Sequence, residues 1–112
     1  MRLKEIVEKL GLTVIVGQDK LENEVTGGYA SDLLSDVIAN SKEGNLWITL
    51  QTHQNIIAVA TLKELSGIVI VNNREPDEET VKKAEQEKIP LLTSKLTTFE
   101  LAGKLYELGV RG

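Results

Sequence analysis

The chain has no cysteine, which excludes disulfides, thiolate nucleophiles and cysteine-ligated metal centres together. It has a single histidine, His53, and a lone imidazole without a spaced partner makes a poor metal site. Aromatic residues are only 4% of the sequence, and there are two prolines. No apolar run approaches the ~20 residues that cross a bilayer. The opening Met1-Arg2-Leu3-Lys4-Glu5 carries acidic charge too early for a signal peptide, so the expectation is a cytoplasmic protein with no membrane partner. Basic charge is scarce as well. Lysine and arginine number 13 against 17 acidic residues, the net charge is −4, and the only arginines are Arg2, Arg74 and Arg111. A nucleic-acid binder normally carries a basic stripe, so that class of partner is not expected.

What is present is the mix of a soluble globular domain: 112 residues, 41% hydrophobic and 27% charged. A chain of this size buries roughly 65% of its unfolded surface, enough for a core without metal or disulfide staples. No composition shift marks a linker, so residues 1–112 read as a single domain.

Short β-branched runs alternate with segments of helical period. Leu3, Ile6, Val7 and Leu10 form one helical stripe, closed by Gly11. Leu12 to Val16 reads as a buried strand, and Val25-Thr26-Gly27-Gly28 as the end of a second, short one. Leu33, Leu34, Val37 and Ile38 predict a helix within Tyr29–Asn40, with Ser31 as its N-cap. Leu46 to Leu50 is the next strand. The segment Ile56 to Leu65 reads as a helix packed on a sheet, with a strand over Ile56–Ala60 as the competing assignment. Ile68 to Val71 is the cleanest strand. A helix from Asp77 to Lys88 follows, with Asp77 as N-cap and Glu78–Lys82 and Glu79–Lys83 at i,i+4 spacing. Ile89 to Thr93 is a last strand. Thr97 and Glu100 form a capping box with Leu96 and Leu101 as its staple, and Leu101, Leu105 and Leu108 face inward on the final helix. This rhythm predicts right-handed βαβ units: a three-layer α/β/α sandwich with a mainly parallel sheet of about five strands.

In open α/β sheets ligands sit at the carboxyl ends of strands, and three loops are candidates. In the first, Thr26, Gly27, Gly28 and Ser31 place two glycines before a helix, where backbone amides can approach an anion. The spacing matches neither the P-loop nor the dinucleotide fingerprint, and the structural alternative is a tight turn that a side chain would crowd. In the second, Gln51, Thr52 and His53 gather amide, hydroxyl and imidazole groups after a strand. The alternative there is that Thr52 and His53 merely begin the next helix. The third loop carries Arg74, suited to a carboxylate or phosphate, or simply solvated. Asp32 and Asp36 stand i,i+4 but lack the further oxygen ligands of a hard-cation site. Trp47 reads as core.

The stretch Val25-Thr26-Gly27-Gly28-Tyr29-Ala30-Ser31-Asp32-Leu33-Leu34-Ser35, with Leu46-Trp47-Ile48-Thr49-Leu50-Gln51-Thr52-His53 downstream, strongly resembles the DRTGG domain family. That resemblance covers most of the chain. It implies an α/β sandwich similar to the N-terminal domain of HPr kinase/phosphorylase, and a regulatory or assembly module of the kind found attached to phosphotransacetylases and to CBS-containing pyrophosphatases. The nominal motif opens Asp-Arg, whereas Glu24-Val25 stands here, so the carboxylate is kept in kind and the arginine is lost. The kinase chemistry of HPr kinase does not carry over, because its P-loop is missing.

These readings predict a non-catalytic regulatory or ligand-sensing module with no resident cofactor or metal. Its ligand would be a nucleotide or another small anionic metabolite, held jointly by Thr26, Gly27, Gly28 and Ser31 and by Gln51, Thr52 and His53. That version requires the two segments to fold side by side. The alternative is a ligand-free oligomerisation adaptor, a homodimer or a scaffold for a partner enzyme. An enzyme using His53 as base is the weakest of the three, because no partner for it is evident.

Overall fold

The computed structural model describes all 112 residues. The elements are α1 (Leu3–Leu10), β1 (Thr13–Val16), a 3-10 turn (Gln18–Lys20), β2 (Gly27–Ala30), α2 (Leu34–Asn40), β3 (Asn45–Thr49), α3 (Asn55–Lys63), β4 (Gly67–Ile70), α4 (Glu78–Glu87), β5 (Leu91–Thr93) and α5 (Thr98–Glu107). The five strands form one sheet in the order β1-β5-β4-β3-β2. All neighbours run parallel except β1, which lies antiparallel to β5 with Thr13 opposite Thr93.

The chain order explains the layers. From β2 to β5 each strand is followed by a helix and then by its spatial neighbour. Right-handed crossovers that always step the same way put every helix on the same side. Accordingly α2, α3 and α4 share one core with Trp47, Ile68, Ile70 and Leu91. The opposite face of the same strands offers Leu46, Ile48, Val69, Val71 and Leu92, which pack with Leu3 and Ile6 of α1 and Leu101 and Leu105 of α5. Alternating residues of β3 and β4 thus serve two cores, the expected pattern for strands buried on both faces. The predicted three-layer sandwich is what the chain forms.

Local predictions fare unevenly. Segment 55–63 is helical, because Ile56, Ile57, Val59 and Ala60 are all buried against the sheet. Gly11 closes α1 at φ 63°, and the Thr97 hydroxyl accepts from the Glu100 amide at 3.3 Å. Trp47 is fully buried, with its indole N–H donating to the Ser31 carbonyl at 2.8 Å. The helix expected within Tyr29–Asn40 with Ser31 as its cap begins only at Leu34, since Tyr29 and Ala30 complete β2 in register with Trp47 and Ile48. Ser31 is therefore no helix cap; its hydroxyl accepts from the Leu33 amide in a local turn. Asp77 takes the N-cap position of α4 without a side-chain capping bond, and the helix's ion pairs are Glu79–Lys82 and Lys83–Glu87 rather than the expected ones. Leu108 lies at the end of α5, outside the buried set.

Candidate functional site

The two polar segments singled out in the sequence do not form one site. Thr26, Gly27 and Gly28 stand at the amino end of the sheet, level with Gly44, Asn45 and Leu46. Ser31, Gln51, Thr52 and His53 stand beyond the carboxyl ends of β2 and β3. Five residues of strand separate the two levels, about 17 Å at the usual rise.

Each end is saturated by the chain itself. Thr26 donates to the Glu43 carbonyl at 2.8 Å and accepts from the Asn45 amide at 3.3 Å. Gly27 lies directly under the carbonyl of Arg111, and a Cβ there would collide with it. The Gly28 amide donates to that same carbonyl at 2.9 Å. The glycines therefore admit the C-terminal segment, not an anion. At the other end, Asp32 accepts from the Thr49 hydroxyl at 3.0 Å and the Leu50 amide at 2.7 Å, while the Gln51 side-chain amide donates to the Asp32 carbonyl at 2.9 Å. The Thr52 carbonyl accepts from Asp77 and Thr80 at the start of α4. His53 Nδ1 accepts from the Asn55 amide at 3.1 Å, a local turn bond. No cleft is lined by Gln51, Thr52 or His53.

Beside β2, a small cluster tunes two ionisations. The Ser31 hydroxyl, the Asn40 amide and the Tyr29 hydroxyl hold the Asp36 carboxyl below its ordinary value, and Asp36 in turn raises the Tyr29 phenol. The Tyr29 hydroxyl donates to Asp36 at 2.9 Å and Asn40 does so at 2.9 Å. These bonds tie α2 to the end of β2.

The one large polar cleft lies elsewhere, over the carboxyl end of β5, with a volume of about 560 Å³. Topology accounts for its position. The loop leaving β4 leads to α4 on one face, whereas the loop leaving β5 leads to α5 on the other. Loops that part to opposite faces leave a crevice between them, where ligands of open α/β sheets bind. Backbone bonds fix its floor: the amides of Asn72 and Asn73, both in the left-handed region, donate to the carbonyls of Leu96 and Ser94. Lys9 of α1, Lys95 after β5 and Lys104 of α5 line it from three elements, together with Thr13, Thr93 and Ser94. None of these lysines takes part in an ion pair. Glu75 is the only carboxylate in the lining, so the wall is formally +2 on a chain of net −4. Arg74 is exposed beside it and lines no cleft, although its neighbours Asn73 and Glu75 do. The run Thr93-Ser94-Lys95 at the end of the last parallel strand was the sequence signal for this place.

The layers and this crevice define an α/β sandwich of the doubly covered, mainly parallel kind. The DRTGG domain family matches residues 5–108, and the chain belongs to it. No curated protein matches the sequence. The solved CBS and DRTGG domains of the regulatory region of a Clostridium perfringens pyrophosphatase, complexed with its activator diadenosine tetraphosphate, are similar in fold. The TM-score is 0.72 at 14% identity, over 91% of this chain and 44% of that one. This chain thus spans less than half the length of that regulatory region.

Proposed function

We propose that this chain is a non-catalytic regulatory module that senses a small anionic metabolite, nucleotides among them, in the cleft between the β4 and β5 loops. The observation that carries the reading is the convergence there of Lys9, Lys95 and Lys104, all without ionic partners, at the switch point of the sheet. A volume of about 560 Å³ suits a metabolite-sized ligand. The family membership and the regulatory setting of the pyrophosphatase relative support a module that acts on a partner enzyme. Thermal denaturation in the presence of phosphorylated and carboxylic metabolites tests the proposal. A ligand at 100 times its Kd stabilises the native state by about 2.7 kcal/mol, several degrees in Tm. No shift with any anion at millimolar concentration refutes the sensing role.

A second reading, a ligand-free homodimer, has one observation in its favour. Helix α5 turns Phe99 (87% exposed) and Tyr106 (59% exposed) to solvent, seven residues apart around Ala102 and Gly103. Phe99 and Tyr106 stand equally far from the Ala102–Gly103 centre, so a two-fold-related copy brings each aromatic opposite the other. Gly103 has no neighbour that a Cβ would meet, so nothing within the chain requires a helix-weakening glycine there. A monomer by light scattering, unchanged by Phe99→Asp, removes this reading.

A further inference from the structure

Resting on the sensing role just proposed, we infer that the cleft recognises the phosphate of its ligand and leaves any attached nucleobase unread. The first argument is charge. One phosphate monoester carries about −1.5 to −2 at neutral pH and is balanced by two ammonium groups. Three lysines against a single carboxylate, Glu75, leave a formal +2, which one such phosphate balances.

The second argument is hydrogen bonding. Thr93 is more than nine-tenths buried, yet it lines the cleft and its hydroxyl is not bonded within the chain. The Ser94 hydroxyl accepts from the Leu96 amide at 3.1 Å, which leaves its own hydrogen free to donate. Thr13 stands directly across from Thr93 in the β1–β5 ladder. Hydroxyl donors sharing a lining with ammonium groups suit phosphate oxygens, which only accept.

The third argument is what the walls lack. Their apolar members, Leu10, Ile15 and Leu96, are all aliphatic. Trp47 is buried in the sheet, Tyr29 and Tyr106 line a different crevice beside β2, and Phe99 projects from α5 outside the cleft lining. A base entering the cleft finds no ring to stack on, and stacking is the ordinary source of base affinity.

Calorimetric titration of the full chain at low salt with pyrophosphate, tripolyphosphate, ADP, AMP, orthophosphate and adenosine tests this. Orthophosphate and AMP are expected to bind within about threefold of one another, pyrophosphate and ADP likewise as a pair, and adenosine not at all, with affinity falling as salt rises. Lys9→Gln, Lys95→Gln and Lys104→Gln should each weaken pyrophosphate binding by about three- to tenfold while leaving the Tm of the free chain unchanged, since all three are exposed. Binding of AMP or ADP without orthophosphate or pyrophosphate, or of adenosine as tightly as AMP, overturns the phosphate inference and keeps the sensing role. Silence toward every anion and nucleotide overturns both. Pyrophosphate binding that survives the triple lysine variant overturns the assignment to this cleft.

Discussion

The two ends of the sheet hold comparable sets of polar residues, and they have opposite fates. At the amino end, Thr26, Gly27, Gly28, Asn45 and the Arg111 carbonyl satisfy one another. At the carboxyl end of β5, Lys9, Lys95 and Lys104 line a cleft and take part in no ion pair within the chain. Polar residues clustered in a sequence say only that something must satisfy them. Whether that something is the chain or a ligand depends on which groups are left over after folding. The motif glycines are consumed by structure, whereas the unspent donors are on residues outside the motif.

That contrast can be broken most forcefully at Gly27. Gly27→Ala forces a methyl group into the Arg111 carbonyl and to 3.2 Å from the Asn45 amide. It is expected to cost about 2–3 kcal/mol in chemical denaturation, in the range of overpacked cores. Gly28→Ala meets nothing closer than 3.7 Å and should stay within about 0.5 kcal/mol. Equal effects at the two glycines would mean that the C-terminal segment does not lie where it is described. Next in size is Asp32→Ala, which strips two hydrogen bonds from the end of β3 and should cost about 1–2 kcal/mol by the same measurement.

A smaller effect depends on pH. Asp36 titrates lower in the folded chain than its ordinary 3.8, so its contribution is complete above that value and is lost as pH falls through the lowered one. Tyr29 is shifted the other way: its contribution is complete below its ordinary 10.0 and is lost as pH rises through the raised one. Tyr29→Phe should flatten the alkaline limb of a stability–pH curve and reduce the acid one. The smallest change is expected for His53→Ala, within about 0.5 kcal/mol, because the exposed imidazole makes a single local bond.

The architecture was legible in the sequence because β1 and β4 declare themselves by β-branched runs and each crossover is short. The β2–α2 boundary was not. Leu33, Leu34, Val37 and Ile38 have helical spacing, yet Leu33 is 63% and Ile38 41% exposed, so the period overstated the buried face and drew the helix start back to Ser31. The site failed for a different reason. β2 is four residues long, and a one-dimensional pattern does not say at which end of so short a strand a glycine pair will stand. Lys9, Lys95 and Lys104 come together only through the third dimension, since α1 and α5 reach the cleft from opposite ends of the chain.

The pinning of Arg111 over Gly27 has a practical corollary. Its guanidinium also stacks on the Tyr106 ring at 3.8 Å, so the last residues are clamped along the outer border of β2. Any polypeptide joined after Gly112, whether a fused domain or a purification tag, leaves the body from that border. Three strand spacings, about 14 Å, then separate it from β5. Carboxyl-terminal fusions should accordingly leave the lysine-lined opening unobstructed, and a reporter attached there can be used to follow ligand entry.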